Sequence, residues 1–93
     1  MLRTLQTVFL AGLLALIANP VFAADQTRVT WLGHAAFKIE TPSGGVMLID
    51  PWLTNPQNDQ GKQLLAEPGR VDYILLSHAH PDHIGDTLKL AKK

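Results

Sequence analysis

The chain has 93 residues, with eight lysines and arginines against eight aspartates and glutamates, four histidines and no cysteine. That length allows one domain at most, and the missing cysteines exclude disulfides and thiolate metal sites. Balanced charge leaves no clustered basic face, so no nucleic-acid partner is indicated.

The first segment stands apart from the rest. Arg3 gives a basic start, residues 8–18 form an apolar run, Asn19-Pro20 breaks a helix, and Ala23 occupies the small-residue position that signal peptidase uses. The run is shorter than the ~20 residues a bilayer crossing needs. No cysteine follows it to accept an acyl chain. Residues 1–23 therefore read as a cleavable signal peptide, with an uncleaved N-terminal anchor as the alternative. The expectation is an exported protein, periplasmic or secreted, with no stable membrane anchor once the leader is removed. The mature segment is then 24–93, with seven basic and eight acidic side chains. Chains of that size bury only ~60% of their unfolded surface. Such a core calls for a bound metal, a partner chain or further sequence.

Residues 28–41, RVTWLGHAAFKIET, read as two short strands around Gly33-His34, with Phe37 and Ile39 alternating against Lys38 and Glu40. The turn chemistry of TPSGG, 41–45, leads into a third strand, Val46 to Ile49, and suggests an antiparallel hairpin. Residues 50–63 are polar, hold two prolines and a glycine, and read as loop, followed by a brief helical turn over 63–66. RVDYILLS, 70–77, is a strand whose uninterrupted YILL predicts cover on both faces. GDTLKLAKK opens a helix with Asp86 as its N-cap and Lys89, Lys92 and Lys93 toward its C-terminal end. Leu88 and Leu90 cannot share one face of that helix, so its apolar stripe is incomplete. The order of elements is that of the front of a larger α/β domain.

SHAHPDHIGD, 77–86, holds three of the four histidines and follows the last strand directly. In extended backbone, positions i and i+2 project to one side, so His78 and His80 can converge on one ion. Pro81 keeps His80 extended. Asp82 and His83 are adjacent and point differently, which suits a second ion; two-metal hydrolytic sites space their ions at ~3.5–4 Å. Imidazole and carboxylate without thiolate suit zinc, manganese or iron(II). The position beyond the carboxyl end of a strand is where open α/β sheets bind ligands.

HAHPDH also matches the H-x-H-x-D-H motif of the metallo-β-lactamase superfamily. VTWLGHAAFKIET with VMLIDPWLTNP resembles the first strands of one branch, metal-dependent hydrolases similar to the ascorbate-phosphate lactonase and the N-acyl-phosphatidylethanolamine phospholipase. The resemblance covers about Arg28 to Asp86. It implies the N-terminal part of an αββα sandwich, an α/β fold, and hydrolysis of a small-molecule ester, lactone or phosphodiester by metal-activated hydroxide. It implies two divalent ions, zinc first, with manganese or iron as alternatives. His78 and His80 would hold one ion, and Asp82 and His83 the other. Asp82 is also the candidate to orient the hydroxide or protonate the leaving group. Asp50 would support the ligands from behind, with an Asp-Pro turn as its plainer role. His34 would stand behind the ligands or face substrate, or serve the turn alone. Trp31 and Trp52 read as core or loop anchors.

The superfamily's other ligands, two histidines and a bridging aspartate, lie far downstream, and 84–93 contains no candidate for them. The expectation is an N-terminal fragment, inactive alone. The alternative is a small exported metal-binding module without catalysis. Oligomeric state is left open.

Overall fold

A computed structural model describes residues 26–93; the leader expected over 1–23 lies outside them. Among the described residues, four strands form one mixed sheet in chain order: β1 (Arg28–Trp31), β2 (Phe37–Glu40), β3 (Val46–Ile49) and β4 (Tyr73–Leu75). β1–β2 and β2–β3 are antiparallel, as the turn chemistry predicts, and β3–β4 is parallel. The connection between the parallel strands carries helix α1 (Gly61–Ala66), which begins two residues before the expected helical turn. Two short helices follow β4, α2 (Pro81–Ile84) and α3 (Thr87–Ala91). No described helix is long and apolar enough to cross a membrane.

The two faces of the sheet differ. Val46 and Leu48 of β3 are buried while Met47 and Ile49 are half-buried. Leu48, Leu53 of the loop and Leu90 of α3 form the core, with Leu32, Leu64, Leu65, Val71 and Ile74 packed around it. Leu90 faces in and Leu88 is exposed, so α3 offers the sheet a single apolar contact row.

Cross-strand partners share a face. The register therefore puts Val29, Ile39, Met47 and Tyr73 in one row, and Trp31, Phe37, Ile49 and Leu75 in the next, on the side opposite the core. All eight are apolar or aromatic. Among the described residues nothing covers the ends of these rows: Trp31 is 56% and Tyr73 65% exposed. β4 is shorter than the expected 70–77, and among the described residues it is covered on one side only, with Ile74 half-buried against the core and Tyr73 and Leu75 exposed. The YILL run anticipates two covering layers, and the described residues supply one.

Asp72 clamps the start of the parallel pair. Its Oδ2 accepts from the Val46 amide at 2.7 Å and from Arg70 Nε at 2.9 Å, while its own amide donates to the Val46 carbonyl at 2.8 Å. The expected cap at Asp86 is also corrected. Asp86 sits at the N-cap position of α3, but its side chain caps nothing. Its carboxylate instead accepts from the amide and hydroxyl of Thr54, because the loop after β3 leaves those donors beside it.

The uncovered apolar face should make the 93-residue chain self-associate. Changing Val29 and Tyr73 to lysine should shift sedimentation velocity profiles toward monomer; a parent chain that is already monodisperse would contradict this. The Val46 amide, with Arg70, holds the Asp72 carboxyl below the usual carboxylate range. A depressed folded pKa stabilises fully above the unfolded value of ~3.9, and the contribution is lost as pH falls through the lower folded value. Asp72→Asn should therefore flatten the acid limb of the stability curve below pH ~4, measured by denaturant unfolding.

Candidate metal centre

Because β1, β3 and β4 run the same way, their carboxyl ends meet at one edge of the sheet. The turn after β1 carries His34, the residue after β3 is Asp50, and Ser77-His78 follow β4. Pro81 opens α2 at its first position with His80 extended at φ −70°, ψ 144°, as the proline predicts. One turn of helix then presents Asp82 and His83 to the same edge.

Asp50 is 4% exposed and is the hub. Its Oδ1 accepts from the Ser77 amide at 2.7 Å, and its Oδ2 from the Ser77 hydroxyl at 2.6 Å and from His83 Nδ1 at 2.9 Å. Burial pushes its carboxyl up, but the Ser77 hydroxyl, the His83 imidazole and the Ser77 amide outweigh burial and hold it at about 2. An ionised carboxylate only accepts, so His83 donates to Asp50 from Nδ1 and its Nε2 is the nitrogen turned toward the rest of the site. The Ser77 hydroxyl, having donated to Asp50, accepts from His78 Nδ1 at 2.8 Å. His78 is thereby set in the same tautomer. A group behind an imidazole that fixes its tautomer and ring orientation is the usual support of a metal-ligating histidine.

His78 Nε2 lies 3.0 Å from His80 Nδ1. The edge of a tetrahedron with Zn–N bonds of ~2.0–2.1 Å is about 3.3 Å, so these two nitrogens are spaced to face one ion. Asp82 turns the other way. Its Oδ2 is 3.0 Å from His34 Nε2 and 3.8 Å from His83 Nε2. Partial desolvation pushes the Asp82 carboxyl up, but the His34 bond and the fields of His83 and His34 outweigh it and lower its pKa. His34, Asp82 and His83 each offer a donor atom within 4.8 Å of the others. The donor set of imidazoles and carboxylates fits a divalent transition metal.

The loop 50–58 braces both corners of the site. Buried Asn55 donates to the carbonyls of Leu32 and Trp52 and accepts from the Gln57 amide. Gln57 in turn accepts from the His34 amide at 2.7 Å. Gly33, at φ +92°, allows this: a Cβ there would lie 2.3 Å from Asn55 Oδ1. Gly85, at φ +46°, does the same at the end of α2, where a Cβ would meet Trp52 Cα at 2.4 Å. Ser77 and Asn55 escape a sequence reading. Ser77 begins the histidine motif without being a ligand type, and Asn55 sits in a polar loop whose composition gives no sign of burial. Trp52 is half-buried, its position edge-on to His34 at a centroid distance of 5.7 Å.

An open cavity of about 340 Å³ lies against Asp82, walled by Trp52, Pro81, Gly85 and Asp86. A larger depression of about 700 Å³ between α1 and α3 is lined by lysines and small or apolar side chains, with neither imidazole nor carboxylate, so the smaller cavity belongs to this site.

A family model for the metallo-beta-lactamase superfamily matches residues 29–93. The chain belongs to that superfamily. It is similar to a UPF0173 metal-dependent hydrolase of Thermodesulfovibrio yellowstonii, 56% identical over 81 residues, 87% of this chain and 30% of that protein. A UPF0173 metal-dependent hydrolase of Anaeromyxobacter dehalogenans is 51% identical over 76 residues, 82% of this chain and 27% of that protein. Among solved structures it resembles Igni18, a metallo hydrolase from the archaeon Ignicoccus hospitalis, with a TM-score of 0.64 and 36% identity over 71% of this chain and 28% of that one. The chain thus spans less than a third of the length of the superfamily members it matches.

In the metal-free chain, long-range ¹H–¹⁵N correlation should show His78 and His83 protonated at Nδ1. Asp50→Asn, which keeps the shape and tolerates positive φ, should redistribute both rings between tautomers. It should also lower stability by about 1.5–3 kcal/mol, the worth of hydrogen bonds to a charged group. A parent His83 protonated at Nε2 alone would contradict the network.

Proposed function

We propose that this chain is the N-terminal part of an exported metal-dependent hydrolase acting on a small-molecule ester, lactone or phosphodiester. His78 and His80 would hold one divalent cation, and Asp82 and His83 a second, zinc being the first choice. The observation that carries the reading is the pairing of donor atoms across Pro81. His78 Nε2 and His80 Nδ1 are 3.0 Å apart on one side, and Asp82 Oδ2 and His83 Nε2 are 3.8 Å apart on the other. When bound, the cations would supply Lewis acidity and acidify water at neutral pH.

The chain's own residues then have separable tasks. Asp50 and Ser77 hold His78 and His83 with Nε2 free. Asp82, ionised and half-exposed beside the cavity, is placed to orient an attacking water and to return its proton to a leaving group. Trp52 and Pro81 wall the space a substrate would enter and keep one side of it dry. The remaining ligands belong to the two thirds of the relatives that this chain does not span, so the chain alone should be inactive. Export rests on Arg3, the apolar run 8–18 and Ala23; removal of residues 1–23 would leave no anchor.

The 93-residue chain should show no turnover on a panel of esters, lactones and phosphodiesters. Exchanged for the matching segment of the Thermodesulfovibrio relative, it should support turnover that a chelator abolishes and zinc restores. Alanine at both 78 and 80 should lower that turnover at least ~100-fold, the scale of losing one preorganised electrostatic stabiliser. Turnover that survives complete metal removal would overturn the proposal.

A further inference from the structure

We infer that His34 is a protein ligand of the Asp82–His83 position, so that three of that ion's donors lie within residues 34–83. This rests on the metal reading above and goes beyond it, because H-x-H-x-D-H supplies only two of them.

His83 Nε2 lies 3.8 Å from Asp82 Oδ2, on the side of the ring turned away from the nitrogen that Asp50 holds. His34 Nε2 reaches the same oxygen at 3.0 Å, and donor atoms from all three residues fall within 4.8 Å of one another. The two edges at Asp82, 3.0 and 3.8 Å, bracket the tetrahedral value of about 3.3 Å.

The backbone points the same way. His34 and Asp50 are the two non-glycine residues with positive φ among the described residues, at 47° and 44°. Such a conformation is costly for a side chain with a Cβ, and strained positions of this kind cluster at functional sites. At 50 the strain delivers the hub carboxylate. At 34 it delivers an imidazole to Asp82, although a glycine or asparagine would make the turn more easily. The imidazole does not hold the turn. That falls to the backbone of His34, whose amide donates to Gln57 and whose carbonyl accepts from Trp31 Nε1.

Cobalt(II) reports on this directly. The 93-residue chain should bind one equivalent with d–d absorption of a low-coordinate site, and Asp82→Ala or His83→Ala should abolish it. His34→Asn, which suits the left-handed turn, should weaken binding more than ~100-fold, beyond the ~10–100-fold lost when a mere support of a ligand is removed. His34→Cys should restore tight binding and add a thiolate-to-cobalt charge-transfer band. No other cysteine exists in the chain, so that band can come only from position 34. Circular dichroism checks that each variant is folded. One bound cobalt without the band in His34→Cys, together with a loss within 100-fold in His34→Asn, would overturn His34 as a ligand and leave the Asp82–His83 assignment standing. Cobalt binding indifferent to Asp82→Ala and His83→Ala would overturn both, as would a folded parent that binds none.

Discussion

A charged carboxylate buried at the end of β3 has to be given partners, and how Asp50 is given them organises the structure. Its partners come from Ser77 and His83, two segments remote in sequence. Satisfying it therefore fixes the end of β4 and the first turn of α2 against the end of β3. A parallel pair has no tight hairpin to set its register, and here each end of the β3–β4 pair carries an aspartate. Asp72 takes the Val46 amide at the start and Asp50 takes the Ser77 amide at the finish. Asp50's other bonds, to the Ser77 hydroxyl and His83 Nδ1, set the tautomers of His78 and His83 from the same carboxylate. Fold and site are thus specified by one set of interactions, and a change at Asp50 reaches both.

The loop after β3 has the complementary task. It lacks regular structure because its polar groups are committed elsewhere: Asn55 and Asn58 to backbone carbonyls, Thr54 to Asp86, Gln57 to the His34 amide. These contacts make up for the positive φ values at His34 and Asp50. A buried asparagine with three well-formed bonds costs little, whereas an unpartnered one would cost about 1–3 kcal/mol. Removing Asn55 would therefore release the β1–β2 turn along with the loop.

Much of this was legible in residue order. The alternation of Phe37 to Glu40, the turn at 41–45 and the apolar run of β3 mark the sheet, because period and turn chemistry are local properties. The i, i+2 spacing of His78 and His80 ahead of Pro81 marks the nitrogens that the structure brings to 3.0 Å. What escaped is what depends on contacts between distant segments. Asp86 looks like a cap because N-cap statistics are local, yet Thr54, 32 residues away, takes its carboxylate. Ser77 and Asn55 matter through the partners the fold gives them, not through their type. His34 could be placed behind the ligands, facing substrate, or in the turn alone. The contact of His34 with Asp82 comes from the meeting of the β1 turn with α2, which no local pattern announces.

The uncovered face of the sheet and the metal centre are linked through one side chain. Trp31 lies with its ring on the open apolar face, and its indole N–H donates to the carbonyl of His34. A sheet that is apolar on both faces belongs in a sandwich, with a second layer packed against it, as the superfamily fold requires. Whatever layer covers Val29, Trp31, Tyr73 and Leu75 must also press on Trp31, and through it on the turn that holds His34. The open face and the His34 turn therefore meet in one side chain. In the chain alone the turn is braced from the inside by Asn55 and Gln57 but is open on the Trp31 side. Covering the sheet would then brace that turn from the Trp31 side as well, without altering any residue at the centre.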